Sequence, residues 1–264
     1  MAEFTAREVA ELRKRTGAGI LDCRKALEEN DGDLATAAKW LVEQGKVSAG
    51  KRSDRERSEG AVAVVVDATL GAIVALECET DFVAKSAEFV QLVDELAAEL
   101  ATGGEDALEA QRERVEKLAI TSKENVALGK SVRFAAEDGS LLDSYLHLQN
   151  GRGVNAVLVE LAGGTQELAH DIAVHIAFTR PEYLRREDVP ADLVEAERGT
   201  AAAIARNEGK PEAALPKIVE GRLNGWFKER CLLDQSFVRD EKRSISDLLG
   251  AAQLRRFAQV VVGS

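Results

Sequence analysis

The sequence predicts an α+β fold: a small three-helix N-terminal domain, a linker, then a core of two related α+β subdomains with a protruding helical hairpin. Three observations point there. Short capped helical segments fill residues 1–45, a charged stretch almost free of apolar residues follows, and a hairpin-then-helix pattern then occurs twice, about 80 residues apart. The expected boundaries are 1–45, 46–60, 61–139 and 140–264, with the helical hairpin at about 189–226.

Thr5-Ala6-Arg7-Glu8 reads as a capping box, in which hydroxyl and carboxylate each satisfy a free backbone amide of the other residue. Val9 and Leu12 follow on one helical face, and Thr16-Gly17-Ala18-Gly19 ends the helix because glycine tolerates left-handed geometry. A second helix carries Ile20, Leu21, Cys23, Ala26 and Leu27. After the Asn30-Asp31-Gly32-Asp33 turn, a third carries Leu34, Ala37, Ala38 and Leu41. From Gly45 to Gly60 the chain has little to bury, so a mobile linker is expected.

Beyond it, Ala61–Asp67 and Gly71–Glu77 are rich in β-branched residues and predict a hairpin. After Thr80-Asp81-Phe82-Val83 comes a helix with Phe89, Leu92, Val93, Leu96 and Leu100 at helical spacing. A charged helix near Asp106–Leu118 and a strand at Ser131–Ala136 separate this copy from the next. The second copy runs through Leu141–Leu148, the Asn150-Gly151 turn, Val154–Leu161 and a helix from Gln166 to Phe178. Ala191–Asn207 and Pro211–Trp226 form the helical hairpin around Gly209-Lys210-Pro211. Its alanines read equally as an intramolecular seam or as the surface of a homodimer. Ser246–Leu249 predicts a helical turn and Leu254–Val262 a last strand.

The net charge is −11, and residues 1–60 carry 12 basic and 12 acidic side chains, so the remaining chain holds all of it. An acidic body repels phosphate backbones, which argues against direct nucleic-acid binding. No apolar run reaches the ~20 residues of a membrane helix, and Met1-Ala2-Glu3-Phe4-Thr5 lacks the marks of a secretory signal. Three cysteines, far apart and without a C-x-x-C pair, suit a reducing cytoplasm rather than a disulfide framework or a zinc site.

Catalytic patterns fail one by one. Gly129-Lys130-Ser131 resembles the end of a phosphate-binding loop, but Glu124 stands where its first glycine is required. Gly151-Arg152-Gly153-Val154-Asn155-Ala156 matches G-x-G-x-x-A, yet it joins two strands instead of opening a helix. His170 and His175, five apart on a helix, point about 140° apart and cannot share a metal, and His175 reads as a core histidine. Glu77, Glu79 and Asp81 alternate along one strand, a weak carboxylate cluster without a second-strand partner. Thr80-Asp81-Phe82-Val83 leaves two readings open. Thr80 or Asp81 caps a helix while Phe82 enters the core, or Phe82 is an exposed aromatic anchor flanked by charge.

Four segments in order are similar to elongation factor Ts, the guanine nucleotide exchange factor of bacterial and organellar translation. They are Leu12–Gly19 continuing to Asp22–Leu27, Glu77–Lys85, His175-Ile176-Ala177 leading to Pro181–Leu184, and Lys217–Leu223. The resemblance implies a ubiquitin-associated-like first domain, no catalytic residues, no cofactor or metal of its own, and elongation factor Tu as partner. It also implies that Asp81 and Phe82, with Thr80 and Val83, push into the partner's nucleotide domain near its magnesium site. Leu12, Arg13, Ile20 and Leu21 would dock the small domain, Val126 would make a further contact, and His147 with the Gly151-Arg152-Gly153 turn would face the partner from the second lobe. Two departures weaken that transfer: Ser236 stands where the family usually has proline, and the second-lobe turn differs from the family pattern around Asn155. Two other classes stay open at this stage. One is a general adaptor acting through the N-terminal bundle; the other is an enzyme using the carboxylates of Glu77–Asp81.

Overall fold

The structure, a computed structural model, describes residues 4–50, 52–67 and 69–263, and the side chains of all of these apart from 46–49. The start at Met1–Glu3, read above for a signal, Lys51 of the expected linker and the final Ser264 lie outside the described residues. Three helices come first: α1 (Ala6–Thr16), α2 (Ile20–Glu29) and α3 (Leu34–Gly50). The Thr5–Glu8 capping box forms, and Gly17 ends α1 at φ 71°. Leu12, Cys23, Ala26, Leu27, Ala37 and Leu41 make the small shared core.

Two expectations are corrected next. Helix α3 continues past 45 to Gly50, and the described residues after it are fastened to the core. Arg52 Nη2 donates to the Ala119 carbonyl at 3.3 Å, and Asn125 Nδ2 donates to the carbonyls of Ser53 and Arg55 at 3.0 and 2.7 Å. Arg57 pairs with Glu77 at 3.2 Å. The stretch is polar because its partners are carboxylates and carbonyls of the core.

The first lobe consists of β1 (Glu59–Asp67), β2 (Leu70–Cys78), the four-residue α4 (Asp81–Ala84), α5 (Ala87–Glu109), α6 (Arg112–Ser122) and β3 (Ala127–Ala135). The charged helix expected over 106–118 is not one helix. Gly104, at φ 74°, kinks α5, and the chain turns at Ala110-Gln111 before α6 begins. The second lobe has β4 (Ser140–Gln149), β5 (Arg152–Ala162) and α7 (Gln166–Thr179), then the hairpin α8 (Ala191–Asn207) and α9 (Leu215–Arg230). A small hairpin, β6 (Ser236–Phe237) with β7 (Asp240–Ser244), α10 (Ile245–Leu249) and β8 (Gln253–Val261) complete it. Ser236 lies in that small hairpin, opposite Ser244. Ala201, Val219 and Leu223 are buried where α8 meets α9. Among the described residues no helix is long and apolar enough to cross a membrane.

Each lobe is built on a three-stranded antiparallel sheet, ordered β1-β2-β3 and β4-β5-β8. Side chains alternate across a strand, so one register faces a helix and the next faces the other sheet. Ala61, Ala63, Val74 and Leu76 pack on Phe89, Leu92 and Leu96 of α5. Val62, Ile73 and Ala75 meet Ala156, Leu158 and Val260 of the second sheet. Val157, Val159 and Leu161 turn back to Ile172 and Ile176 of α7. The result is four layers, helix, sheet, sheet, helix, with β2, β5 and most of β1 buried on both faces. This explains why β1 and β2 read as nearly continuous apolar runs.

Candidate partner-binding site

The strand-to-helix junction after β2 bears on whether Phe82 enters the core. Thr80 stays extended (φ −125°, ψ 153°), and its hydroxyl accepts from the Val83 amide at 3.4 Å. Successive residues of the single turn α4 step by about 100°. Ala84 is therefore buried and Val83 packs partly on the first-lobe core, while Phe82 points out and is 83% exposed. The core reading of Phe82 is overturned; the capping part of it stands. Leaving a phenylalanine in water forfeits about 2 kcal/mol of burial. Asp81 pairs with Lys85 one turn on. That hydrogen bond is the main reason its carboxyl lies below the usual aspartate range, and the Arg152 charge adds to it, so Asp81 is ionised at neutral pH.

The base of the tip is held by a residue that sequence reasoning passed over. Glu124 accepts from the amides of Glu79 and Thr80 at 3.1 and 3.0 Å and from the Thr80 hydroxyl at 2.5 Å. The grip is mutual: Glu79 accepts from the Asn125 amide at 2.7 Å and pairs with Arg55 at 3.3 Å. Cys78 donates to the Thr80 carbonyl, and burial, with the nearby Glu124 charge, pushes its thiol up to about 12. The alternating carboxylates are thus each occupied, by Arg57, Arg55 and Lys85. Among the described residues no group of three or more His, Cys, Asp or Glu could hold a metal ion.

On the N-terminal bundle, Ile20 and Leu21 are 56% and 79% exposed, and Arg13 is exposed beside them. Arg13 and Ile20 line an open groove with Phe4 and Val9, between α1 and α2. Leu12, expected at the same surface, is instead fully buried, because it is the α1 residue that closes the bundle core. The bundle rests on α6. Asp22 pairs with Lys123 at 2.8 Å, and a Cβ on Gly45 would come within 2.5 Å of Ile120.

Three other expected contact residues also turn inward. Val126 joins the first-lobe core. Arg152 is buried and reaches across to the first lobe, where it donates to the Gly60 carbonyl at 2.6 Å and pairs with Glu59 at 2.5 Å. Gly153 is buried because a Cβ there would lie 2.1 Å from the Val62 carbonyl, where the two sheets touch. Gly151, at φ +80°, and His147 remain exposed, and the His147 ring stacks on Tyr145. Among the described residues of the second lobe, the apolar side chains of Leu148, Phe178, Leu193 and Ile204 are also exposed. His175 is fully buried, as its apolar surroundings suggested.

The elements that carry the expected residues are linked by contacts within the chain. The bundle sits on α6, α6 leads through Lys123 into Glu124-Asn125-Val126 beside the tip, and Arg152 connects the second-lobe turn to the strand next to it.

Two family models match the chain: "Elongation factor TS" over residues 79–264 and "Elongation factor Ts, mitochondrial, N-terminal" over residues 2–50. Relatives named elongation factor Ts include that of Renibacterium salmoninarum, 44% identical over 281 residues and covering all of both chains. That of Streptomyces griseus is 44% identical over 277 residues, again with full coverage of both. That of Acidothermus cellulolyticus is 43% identical, covering all of this chain and 99% of its own.

Proposed function

This chain belongs to the elongation factor Ts family of translation elongation factors, and from that premise we propose that it releases GDP from elongation factor Tu by driving Phe82 and Asp81 into the partner's nucleotide domain. The observation that carries this reading is Phe82 itself, a large aromatic held in water on a braced single turn. An exposed aromatic whose own fold gains nothing from it is suited to fill a pocket on another protein.

Asp81 adds a fixed negative charge at the same tip. GDP is held by its cation and by phosphate-cradling amides, so a small displacement of either forfeits much of the nucleotide's affinity. Exchange is then a negative coupling between two ligands of the partner, and linkage makes it reciprocal: bound nucleotide weakens this chain's grip equally. Ile20, Leu21 and Arg13 dock the bundle on the partner, and His147 with the Gly151 turn makes the second-lobe contact. Leu12, Val126, Arg152 and Gly153 act from inside, by holding those surfaces in place.

The test is stopped-flow release of a fluorescent GDP from elongation factor Tu with substoichiometric amounts of this chain. Acceleration with multiple turnovers is expected. Release at the spontaneous rate would refute the proposal.

A further inference from the structure

We propose that Glu124 is the positioning residue of the exchange tip: its carboxylate, without touching the partner, fixes the direction in which Phe82 projects. The inference rests on the reading of Phe82 as the inserting side chain. A four-residue helix is far too short to be stable alone, so the orientation of α4 must come from what holds its first residues. Glu124 does this with both oxygens. Oε2 accepts from the two successive amides of Glu79 and Thr80, and Oε1 accepts from the Thr80 hydroxyl. That hydroxyl has one proton. Giving it to Glu124 leaves a lone pair for the Val83 amide, which completes the cap of α4. The carboxylate thereby fixes both the backbone entering the turn and the rotor that caps it.

Glu124 is itself held. It lies between Lys123, the left-handed residue ending α6 that pairs with Asp22 of the bundle, and Asn125, whose amide is gripped by Glu79. Asn125 in turn holds the carbonyls of Ser53 and Arg55. Tip, α6 and the segment before β1 thus converge on one carboxylate and its neighbour. No hydrophobic packing at Phe82 competes with this arrangement, because the ring is in solvent.

Glu124→Gln keeps the side chain's size but puts an amide NH2 where one oxygen accepted. The maximal rate of GDP release at saturating chain is expected to fall about tenfold, with the half-saturating concentration within about twofold of wild type, because docking surfaces elsewhere are intact. Hydrogen exchange at the amides of Glu79, Thr80 and Val83 should quicken. The signature that separates positioning from general stability is non-additivity: Phe82→Ala with Glu124→Gln should release GDP no more slowly than Phe82→Ala alone. Thr80→Val removes only the hydroxyl arm and should lower the maximal rate in the same way, which keeps the test open if Glu124→Gln misfolds. A wild-type maximal rate in both variants, or a double mutant whose losses simply add, overturns the proposal. If Phe82→Ala itself exchanges normally, the insertion reading fails; if only Glu124→Gln and Thr80→Val exchange normally, the clamp alone fails.

Discussion

The bond between the lobes makes an unequal pair of mutants out of one ion pair. Arg152 is buried, and its Nε has no partner, whereas Glu59 keeps about a third of its side chain in water. Arg152→Met removes two charge-assisted hydrogen bonds, each worth about 1.5 kcal/mol, but also removes the cost of burying a guanidinium with one unpaired donor. The remaining Glu59 can rehydrate, so a net loss of about 1 kcal/mol is expected. Glu59→Ala leaves the guanidinium buried with only the Gly60 carbonyl, and should cost about 3 kcal/mol. The double mutant should be close to Arg152→Met alone, giving a coupling of about 3 kcal/mol. Urea unfolding measures all four proteins, provided the slope m stays constant so that midpoints report stability. If Arg152→Met proves more damaging than Glu59→Ala, the reasoning from burial is wrong.

Three further outcomes can be checked on the same material. Glu160 is fully buried and accepts from the Glu137 amide at 2.7 Å and from Arg256 at 2.6 Å. Burial raises its pKa, but those two partners outweigh burial and hold it below 4.5. Its contribution is therefore present above pH 4.5 and lost as pH falls through the lowered folded value, so Glu160→Gln should cost about 2 kcal/mol at pH 7 and less in acid. His175 accepts from the Val238 amide through Nδ1, which leaves Nε2 to donate to Gln235 at 2.9 Å. Burial, against the Gln235 bond, lowers its pKa from 6.5, so the unfolded chain takes up the proton first. Wild-type melting temperature should fall as pH drops below 6.5, and His175→Gln should flatten that part of the profile. The cysteines are buried, and burial pushes Cys78 to about 12 and Cys231 to about 11, so a thiol reagent at pH 8 should label them only on unfolding.

Local patterns made much of the fold legible. The Asn150-Gly151 turn, the helix after Thr165 and the Thr5 capping box follow from residues within a few positions of one another. The kink at Gly104 was legible in principle too, yet the charged residues around it imitate a single helix. What periodicity could not supply was the stacking of the two sheets, since strand alternation does not say what the second face meets. The same limit applies at the site. Exposed Phe82 and buried Leu12, Val126 and Arg152 are all sequence-plausible at a surface, and only packing separates them. Glu124 escaped because its partners are backbone amides 44 and 45 residues earlier, which leave no trace in side-chain pattern.

Phe82→Ala tests the central claim most directly, because the ring is 83% exposed and its removal leaves folding stability untouched to within about 0.5 kcal/mol. The measurement is maximal GDP release from elongation factor Tu at saturating protein, alongside unfolding of the variant. A normally stable Phe82→Ala protein whose release rate is lower by about a hundredfold is the predicted result. A stable variant that still releases GDP at the wild-type rate would contradict the account.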